Sequence, residues 1–345
     1  MINETEYIKG LGENEVIKYL GVNFNDQITF DSHKVIKQLK DSIDKLVSCS
    51  LLYANQKILI INDYIWSKLV YPLQMAPLTK LPHCFLEDVD KIIRNAVKEI
   101  IGLPSDTPTS MIYTSKNLRG LSIFLATWEA FLQHYNVCLT LIKSNNEFIP
   151  YVRNLESEMD SCKKSLKISE EDFKTIEKNN KNPKKKITQA MRSHLRDNEF
   201  KTWSELKSKG RGVELFKHCP EVNKRIVEKR GLTNTEWIQI LKMNGQVAPV
   251  RANHGRGQDN HCRFCGEIET LGHVLGFCDR GNLLRNTRHN TVRTLIADEF
   301  RRLKWNVYEE VNCINPLKAT QRIDIIVYKN KNDMSYIIDP TIRID

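Results

Sequence analysis

No run of eighteen apolar residues occurs in this 345-residue sequence, so no ordinary membrane-spanning helix is expected. The N-terminus, MINETEYIKG, lacks a basic stretch followed by an apolar one, which excludes a secretory signal of the usual form. The expectation is an intracellular, nuclear protein in a reducing environment. A disulfide framework is then excluded, and the nine cysteines become thiols and ligands. Cys49, Cys84, Cys138, Cys162, Cys219 and Cys313 stand singly and read as plain core or surface residues. No internal repeat is present. What remains is a chain with 41% hydrophobic residues, long enough for two or more modules and a sizeable core.

Positive charge is in excess, and it is localised. The chain carries 52 Lys+Arg against 42 Asp+Glu. Residues 163–230 hold 20 against 10, which leaves the remainder balanced at 32 against 32. Such a stretch is either a solvated helical face or a surface that meets phosphates. Within it, Pro183 and Lys184, Lys185 and Lys186 mark an exposed linker, the lysines reading as a localisation signal or a solvated loop.

The hydrophobic periodicity predicts a mostly α-helical α+β protein. Residues 1–30 read as short strands, KYLGV (18–22) and Gln27–Phe30, around a hairpin turn at Asn25-Asp26. From Asp31, Val35, Ile36, Leu39, Ile43, Leu46 and Val47 recur at helical spacing. A second helix runs from Ala54 to Leu73, closed by Pro72, and a third from Leu81 to Ile101, terminated by Gly102. LPSDTPTS (103–110) is turn-rich, and Ser122–Lys143 is a fourth helix. Residues 144–245 form a basic helical linker with short helices near Trp203–Leu206, Asn223–Lys229 and Thr235–Met243. Another helix is expected after Asn290. The chain ends in two strands, Arg322–Tyr328 and Tyr336–Asp339, around the polar turn Lys329–Asp333.

The sharpest local signal is HCRFCGEIETLGHVLGFC, in which Cys262, Cys265, His273 and Cys278 are spaced Cys-x2-Cys-x7-His-x4-Cys. Three thiolates and one imidazole complete a tetrahedral Zn2+ set. Gly266 suits a tight turn after the first pair, and the second pair suits the start of a short helix. Basic residues flank the motif: Arg251, His254, Arg256, His261 and Arg263 before or within it, and Arg280, Arg285, Arg288 and His289 after it. A small metal-clamped unit in a basic collar usually touches nucleic acid. Arg263 and Phe264 are placed to stack on unpaired bases.

A second constellation is acidic. Asp324 and Asp339 lie on successive strands, and Glu309 and Glu310 precede them. Carboxylates of this kind suit Mg2+, which positions a water for in-line phosphate displacement. The alternative is that the aspartates pair with solvent or with Arg322 and Arg343. A nuclease of this design also needs a cation beside the second acid, and no lysine follows Asp339.

Taken in order, these residues resemble the C-terminal part of the Pol polyprotein of non-long-terminal-repeat retrotransposons that carry a restriction-like endonuclease, in particular the class inserting into ribosomal RNA genes. KYLGV resembles the end of the reverse transcriptase palm. Residues 31–143, with LPSDTP and NLRGLSI (117–123), resemble the thumb. Cys262, Cys265, His273 and Cys278 match the family's CCHC zinc knuckle, and Arg288-His289-Asn290 the basic element after it. Arg322-Ile323-Asp324 takes the place of Arg-x-Pro-Asp, with Ile323 departing from the usual proline, and Asp339 takes the second acid position. The resemblance implies palm end at 1–30, thumb at 31–143, linker at 144–245, knuckle at 246–290 and partial endonuclease at 291–345. It also implies a piece of a polymerase–endonuclease, since the Tyr/Phe-Ala-Asp-Asp hairpin of the polymerase site is absent from the sequence.

Three functions are consistent with these features. The first is a fragment that grips RNA or DNA through thumb, linker and knuckle. The second is a Mg2+-dependent endonuclease using Asp324, Asp339 and Glu310. The third is a structural zinc protein with a protein partner.

Overall fold

The computed structural model describes residues 17–19, 22–24, 32–75, 78, 81–143, 155–179, 187–253, 259–314, 318–330 and 334–341. The fold is mostly α-helical, with a small antiparallel sheet of three strands, and so is α+β. It divides into two compact units, Met1–Val247 and Ala248–Asp345. No helix among the described residues is long and apolar enough to cross a membrane.

The first unit opens with β1 (Ile17–Tyr19) and β2 (Val22–Phe24), paired antiparallel with Tyr19 opposite Val22. The expected single strand KYLGV is therefore split, and the chain reverses between Tyr19 and Val22 rather than at Asn25-Asp26. The predicted strand Gln27–Phe30 lies outside the described residues.

Helix α1 (Ser32–Ser48) buries Leu39, Ile43 and Leu46, the stripe that its periodicity predicts. α2 (Ala54–Ile60) passes through a π turn (Ile61–Ile65) into α3 (Trp66–Met75). Pro72 does not close this helix; it lies inside α3. Leu69 and Leu73 are buried on either side of it, so packing holds the turn despite the missing N–H. A ring nitrogen of His134 lies 3.1 Å from the Leu73 carbonyl near the helix end. α4 (His83–Ile101) ends at Gly102, whose φ of +66° is the left-handed cap that its glycine predicts.

A five-residue helix α5 (Thr109–Tyr113) follows, and the NLRGLSI segment folds back against it. Leu121 and Ile123 donate N–H bonds to Met111 and Ile112, and Ser122 to Thr114. Gly120 lies so close to the Thr114 backbone that a Cβ there would stand 2.1 Å from its carbonyl oxygen. α6 (Ala126–Lys143) starts four residues later than expected. Its first turn is capped from a distance: Asp90 of α4 accepts from Ala126 N (2.5 Å), Thr127 N (3.2 Å) and Thr127 Oγ1 (2.8 Å).

Residues 155–179, expected within an exposed linker, instead form α7 (Leu155–Ser165) and α8 (Glu170–Asn179). Their sparse apolar positions, Leu155, Cys162, Phe173 and Ile176, are buried. With Leu132 and Tyr135 of α6 and Met191 and Leu195 of α9 (Ile187–Ser204) they build a second core. The lysines between them face outward, which is why the composition reads as solvated. α9 also carries Arg192, a bidentate partner of the buried Glu129 at 2.5 and 2.7 Å. α10 (Pro220–Val227) and α11 (Asn234–Asn244) complete the unit. Arg119 joins them to the NLRGLSI turn through Asn223 Oδ1 (2.8 Å) and Asn244 Oδ1 (3.2 Å).

In the second unit, α12 (Asn282–Arg302) begins well before Asn290, so Arg288-His289-Asn290 is helical. It is followed by β3 (Asn306–Ile314), β4 (Thr320–Tyr328) and β5 (Tyr336–Ile338), in the order β3-β4-β5. β3 is not expected from the sequence, where Glu309-Glu310 interrupts an otherwise β-prone run. Ile325 and Val327 of β4 and Ala297 of α12 are fully buried and form its small core.

Candidate metal centre and acidic row

Cys262 and Cys265 lie on a tight turn. Gly266 donates its N–H to the Cys262 carbonyl (3.2 Å) and the Cys262 N–H reaches the Glu267 carbonyl (2.6 Å). Gly266 adopts φ +77°, so the turn requires its glycine. His261 and Ile268 bridge antiparallel across the base. The second pair brackets one π turn (His273–Phe277). Thr270 Oγ1 accepts the His273 N–H at 3.0 Å, and the Cys278 N–H returns to the His273 carbonyl at 2.9 Å. His273 thus starts the turn and Cys278 ends it, which brings both to one side.

The ligand atoms of Cys262, Cys265, His273 and Cys278 all lie within 4.8 Å of one another. Cys262 Sγ is 3.9 Å from Cys278 Sγ, and Cys265 Sγ is 3.2 Å from His273 Nε2. Zinc about 2.3 Å from each sulfur would set tetrahedral sulfurs about 3.8 Å apart, so the donor set fits that ion. The Phe264 N–H, above all, draws the Cys262 thiol down to about 6, towards the thiolate that metal binding needs. Cys262, His273 and Cys278 are buried, and Cys265 is exposed.

The basic collar divides by what each side chain touches. Arg263 is exposed. Arg280 lies 3.6 Å over the ring of Phe264, which is 60% exposed. Arg251 donates to Asp259 (2.9 Å) and to the His261 carbonyl (2.8 Å), and His261 is itself 3.0 Å from Asp259. Arg285 donates to the Cys278 carbonyl (2.7 Å) and Arg288 to the Leu275 carbonyl (3.2 Å). His289 Nε2 is 3.2 Å from Asp324 Oδ2. The sequence offers Arg285, Arg288 and His289 to nucleic acid; in the fold each has a partner inside its own unit. His254, Arg256 and Lys184–Lys186 lie outside the described residues.

The acids of the sheet line up across three strands. The register passes from Glu309–Ile325 to Val311–Ile323, which sets Glu310 opposite Asp324. Ile325 pairs with Ile338, so one step further Asp339 falls beside Asp324. Glu310 sits at φ +55°, a strained conformation for a residue with a side chain. Its carboxylate is taken by Arg322 and Arg293, in that order the causes that hold it below the ordinary value. Arg293 also reaches Glu309 at 3.3 Å. Among the described residues, the Cys/His set alone gathers three or more metal-ligating side chains; Glu310, Asp324 and Asp339 are aligned but do not converge in that way. Arg293 does not stand out in the sequence; its spacing of four residues from His289 on one helix is the available signal.

No protein-family model matches the chain. Over 290 residues it is 24% identical to the retrovirus-related Pol polyprotein from type-1 retrotransposable element R2 of Popillia japonica. This likeness marks the chain as retrotransposon-related. The aligned part covers 83% of this chain and 37% of that polyprotein, so the chain spans little more than a third of its relative's length.

Proposed function

We propose that the chain is a nucleic-acid-binding segment of a retrotransposon Pol protein, gripping RNA or DNA through its helical unit and a zinc knuckle. In this reading residues 1–30 are the palm end, 31–143 a thumb, 144–245 a basic helical stretch, 246–290 the knuckle and 291–345 part of a restriction-like endonuclease. The observation that carries it is the convergence of Cys262, Cys265, His273 and Cys278 in a basic setting. Zinc there is structural: it ties the Cys262–Cys265 turn to the His273–Cys278 turn. Arg263 and the Arg280–Phe264 pair are the exposed groups left to meet phosphates and bases. The test is the purified chain's zinc content, followed by its affinity for RNA and DNA duplexes and single strands at several salt concentrations. One equivalent of zinc with salt-dependent binding supports the reading. Zinc without binding at about 50 mM salt favours a structural zinc protein with a protein partner.

The cross-strand row of Glu310, Asp324 and Asp339 supports a second reading, a Mg2+-dependent endonuclease. Mg2+ would supply Lewis-acid stabilisation of the phosphate transition state. The chain's own task would be to hold the carboxylates, which Arg293, Arg322 and His289 now engage. Weak Mg2+ binding with little turnover is expected, because a cation beside the second acid is missing and such groups are commonly worth about a hundredfold or more. Robust nicking of supercoiled plasmid, lost in Asp324→Ala and Asp339→Ala, would establish the endonuclease instead.

A further inference from the structure

Helix α12 is gripped from two directions by side chains one residue apart. Arg285 and Arg288 reach back to the carbonyls of Cys278 and Leu275, both in the turn that carries the last two metal donors. His289 reaches forward to Asp324 of β4, and one turn later Arg293 engages Glu309 and Glu310 of β3. The side chains of Arg293 and Asp324 are only 12% and 18% exposed, so these contacts are shielded rather than loose surface pairs. The stripe Arg285, Arg288, His289, Arg293 repeats at three and four residues, the spacing at which an apolar stripe would normally stand. This helix is fastened chiefly by charge-assisted hydrogen bonds, and its N-terminal anchor is the metal turn.

We propose that metal occupancy at Cys262, Cys265, His273 and Cys278 sets the position of Asp324 through α12, with Arg285 and Arg288 as the coupling groups and His289 as the positioning residue. The inference rests on the zinc reading given above. Its physical basis is that a π turn of five residues is too short to persist alone. Metal–ligand bonds hold it, and with it the orientation of the Leu275 and Cys278 carbonyls. Without the metal the two guanidinium groups lose their acceptors and the first turns of α12 fray. His289, eighth in a helix of 21 residues, lies within that frayed part, whereas Arg293 and the buried Ala297 lie beyond it. Asp324 then loses its partner while the sheet itself persists. The coupling is reciprocal, so cutting the arginines also weakens the metal site, as loss of outer hydrogen-bond partners commonly does by about 10-fold to 100-fold.

Hydrogen exchange read by mass spectrometry on the full chain tests this, with zinc content measured in parallel. In the zinc-loaded protein, segments 282–292 and 320–326 are protected. Chelation speeds exchange in both and leaves 83–101 of the other unit unchanged. The Arg285→Ala/Arg288→Ala variant still holds one zinc, about tenfold more weakly in a chelator competition, yet exchanges in 282–292 and 320–326 as the metal-free protein does. His289→Ala keeps the protection of 282–292 and loses that of 320–326. Should the double variant fail to fold, Arg288→Lys, which retains a donor, gives an intermediate protection of both segments. Wild-type protection of 320–326 in a zinc-loaded coupling variant, or in the metal-free wild type, overturns the coupling and leaves the zinc reading intact. A chain that binds no zinc at all overturns both.

Discussion

Asp90 provides a test of the helical unit in which direction and size both follow from the structure. It is 5% exposed on α4 and caps α6 by accepting three hydrogen bonds, from the N–H groups of Ala126 and Thr127 and from the Thr127 hydroxyl. Those donors favour the carboxylate. Burial opposes them and wins, raising Asp90 from 3.8 to about 6. The folded protein therefore binds this proton more tightly than the unfolded chain does. Stability from Asp90 is fully present below about 4 and is lost as pH rises through about 6. A rise of that size corresponds to at most about 3 kcal/mol, of which about 2 kcal/mol develops between roughly pH 7.5 and 4.5. Asp90→Asn keeps one acceptor, meets one N–H with its own amide, and cannot titrate. It should cost about 1–3 kcal/mol at any pH. Urea unfolding followed through the buried Trp66, Trp203 and Trp237 measures the difference between the two proteins at each pH. The wild-type advantage should grow by about 2 kcal/mol on acidification across that window. An advantage that stays flat, or grows as pH rises, refutes the argument that burial dominates.

Three further outcomes are expected. Gly120→Ala drives a Cβ into the Thr114 backbone and should cost roughly 3 kcal/mol or more, read as a lowered thermal midpoint. Arg192→Met leaves the buried Glu129 unpaired and should cost about 3–5 kcal/mol in urea unfolding, with part regained in Arg192→Met/Glu129→Met. Removal of zinc by a chelator should open residues 259–281 to hydrogen exchange, and Cys265→Ser should do the same without chelator; unchanged protection in both cases would argue against the site.

The metal centre is legible in the sequence because its ligand types and spacing are themselves the signal, and Gly266 marks the turn that orients the first pair. The long amphipathic helices are legible for a similar reason, since Leu39, Ile43 and Leu46 repeat as the core requires. Elsewhere the deciding partner is distant or the pattern is polar. The start of α6 depends on Asp90, 36 residues earlier, so nothing near Ser122 could announce it. Pro72 is tolerated because Leu69 and Leu73 are buried around it, a tertiary effect. α7 and α8 hide a thin apolar stripe among lysines. The N-terminal half of α12 escapes recognition because Arg285, Arg288, His289 and Arg293 occupy the inward positions; that helix leans on carbonyls and carboxylates, not on a hydrocarbon core. The pairing of Glu310 with Asp324 requires the register of β3, a strand whose two glutamates disguise it.

The same partners limit how much of the basic collar can face phosphate. Counted from the sequence, the collar is rich in arginine. In the structure Arg251, Arg285, Arg288 and Arg293 all donate to carbonyls or carboxylates of their own unit, and Arg301 and Arg302 pair with acids nearby. Arg263 and Arg280 are the collar arginines left facing outward among the described residues. Each phosphate neutralised adds about 0.9 to the slope of log affinity against log salt on duplex DNA. Two or three such contacts from this unit would weaken binding only tens-fold between roughly 50 and 200 mM salt, while eight would weaken it by about ten-thousandfold. A steeper response of the full chain must then come from the 163–230 stretch with its 20 Lys+Arg. Replacing Lys184, Lys185 and Lys186 together by alanine should flatten the slope by up to about 3, and Arg263→Ala by about 1. Arg285→Ala/Arg288→Ala should leave the slope nearly unchanged while weakening the metal site. Equal flattening by the Arg285/Arg288 pair and by Arg263 would mean that those two arginines leave their carbonyls when nucleic acid binds, and that the collar acts as a whole.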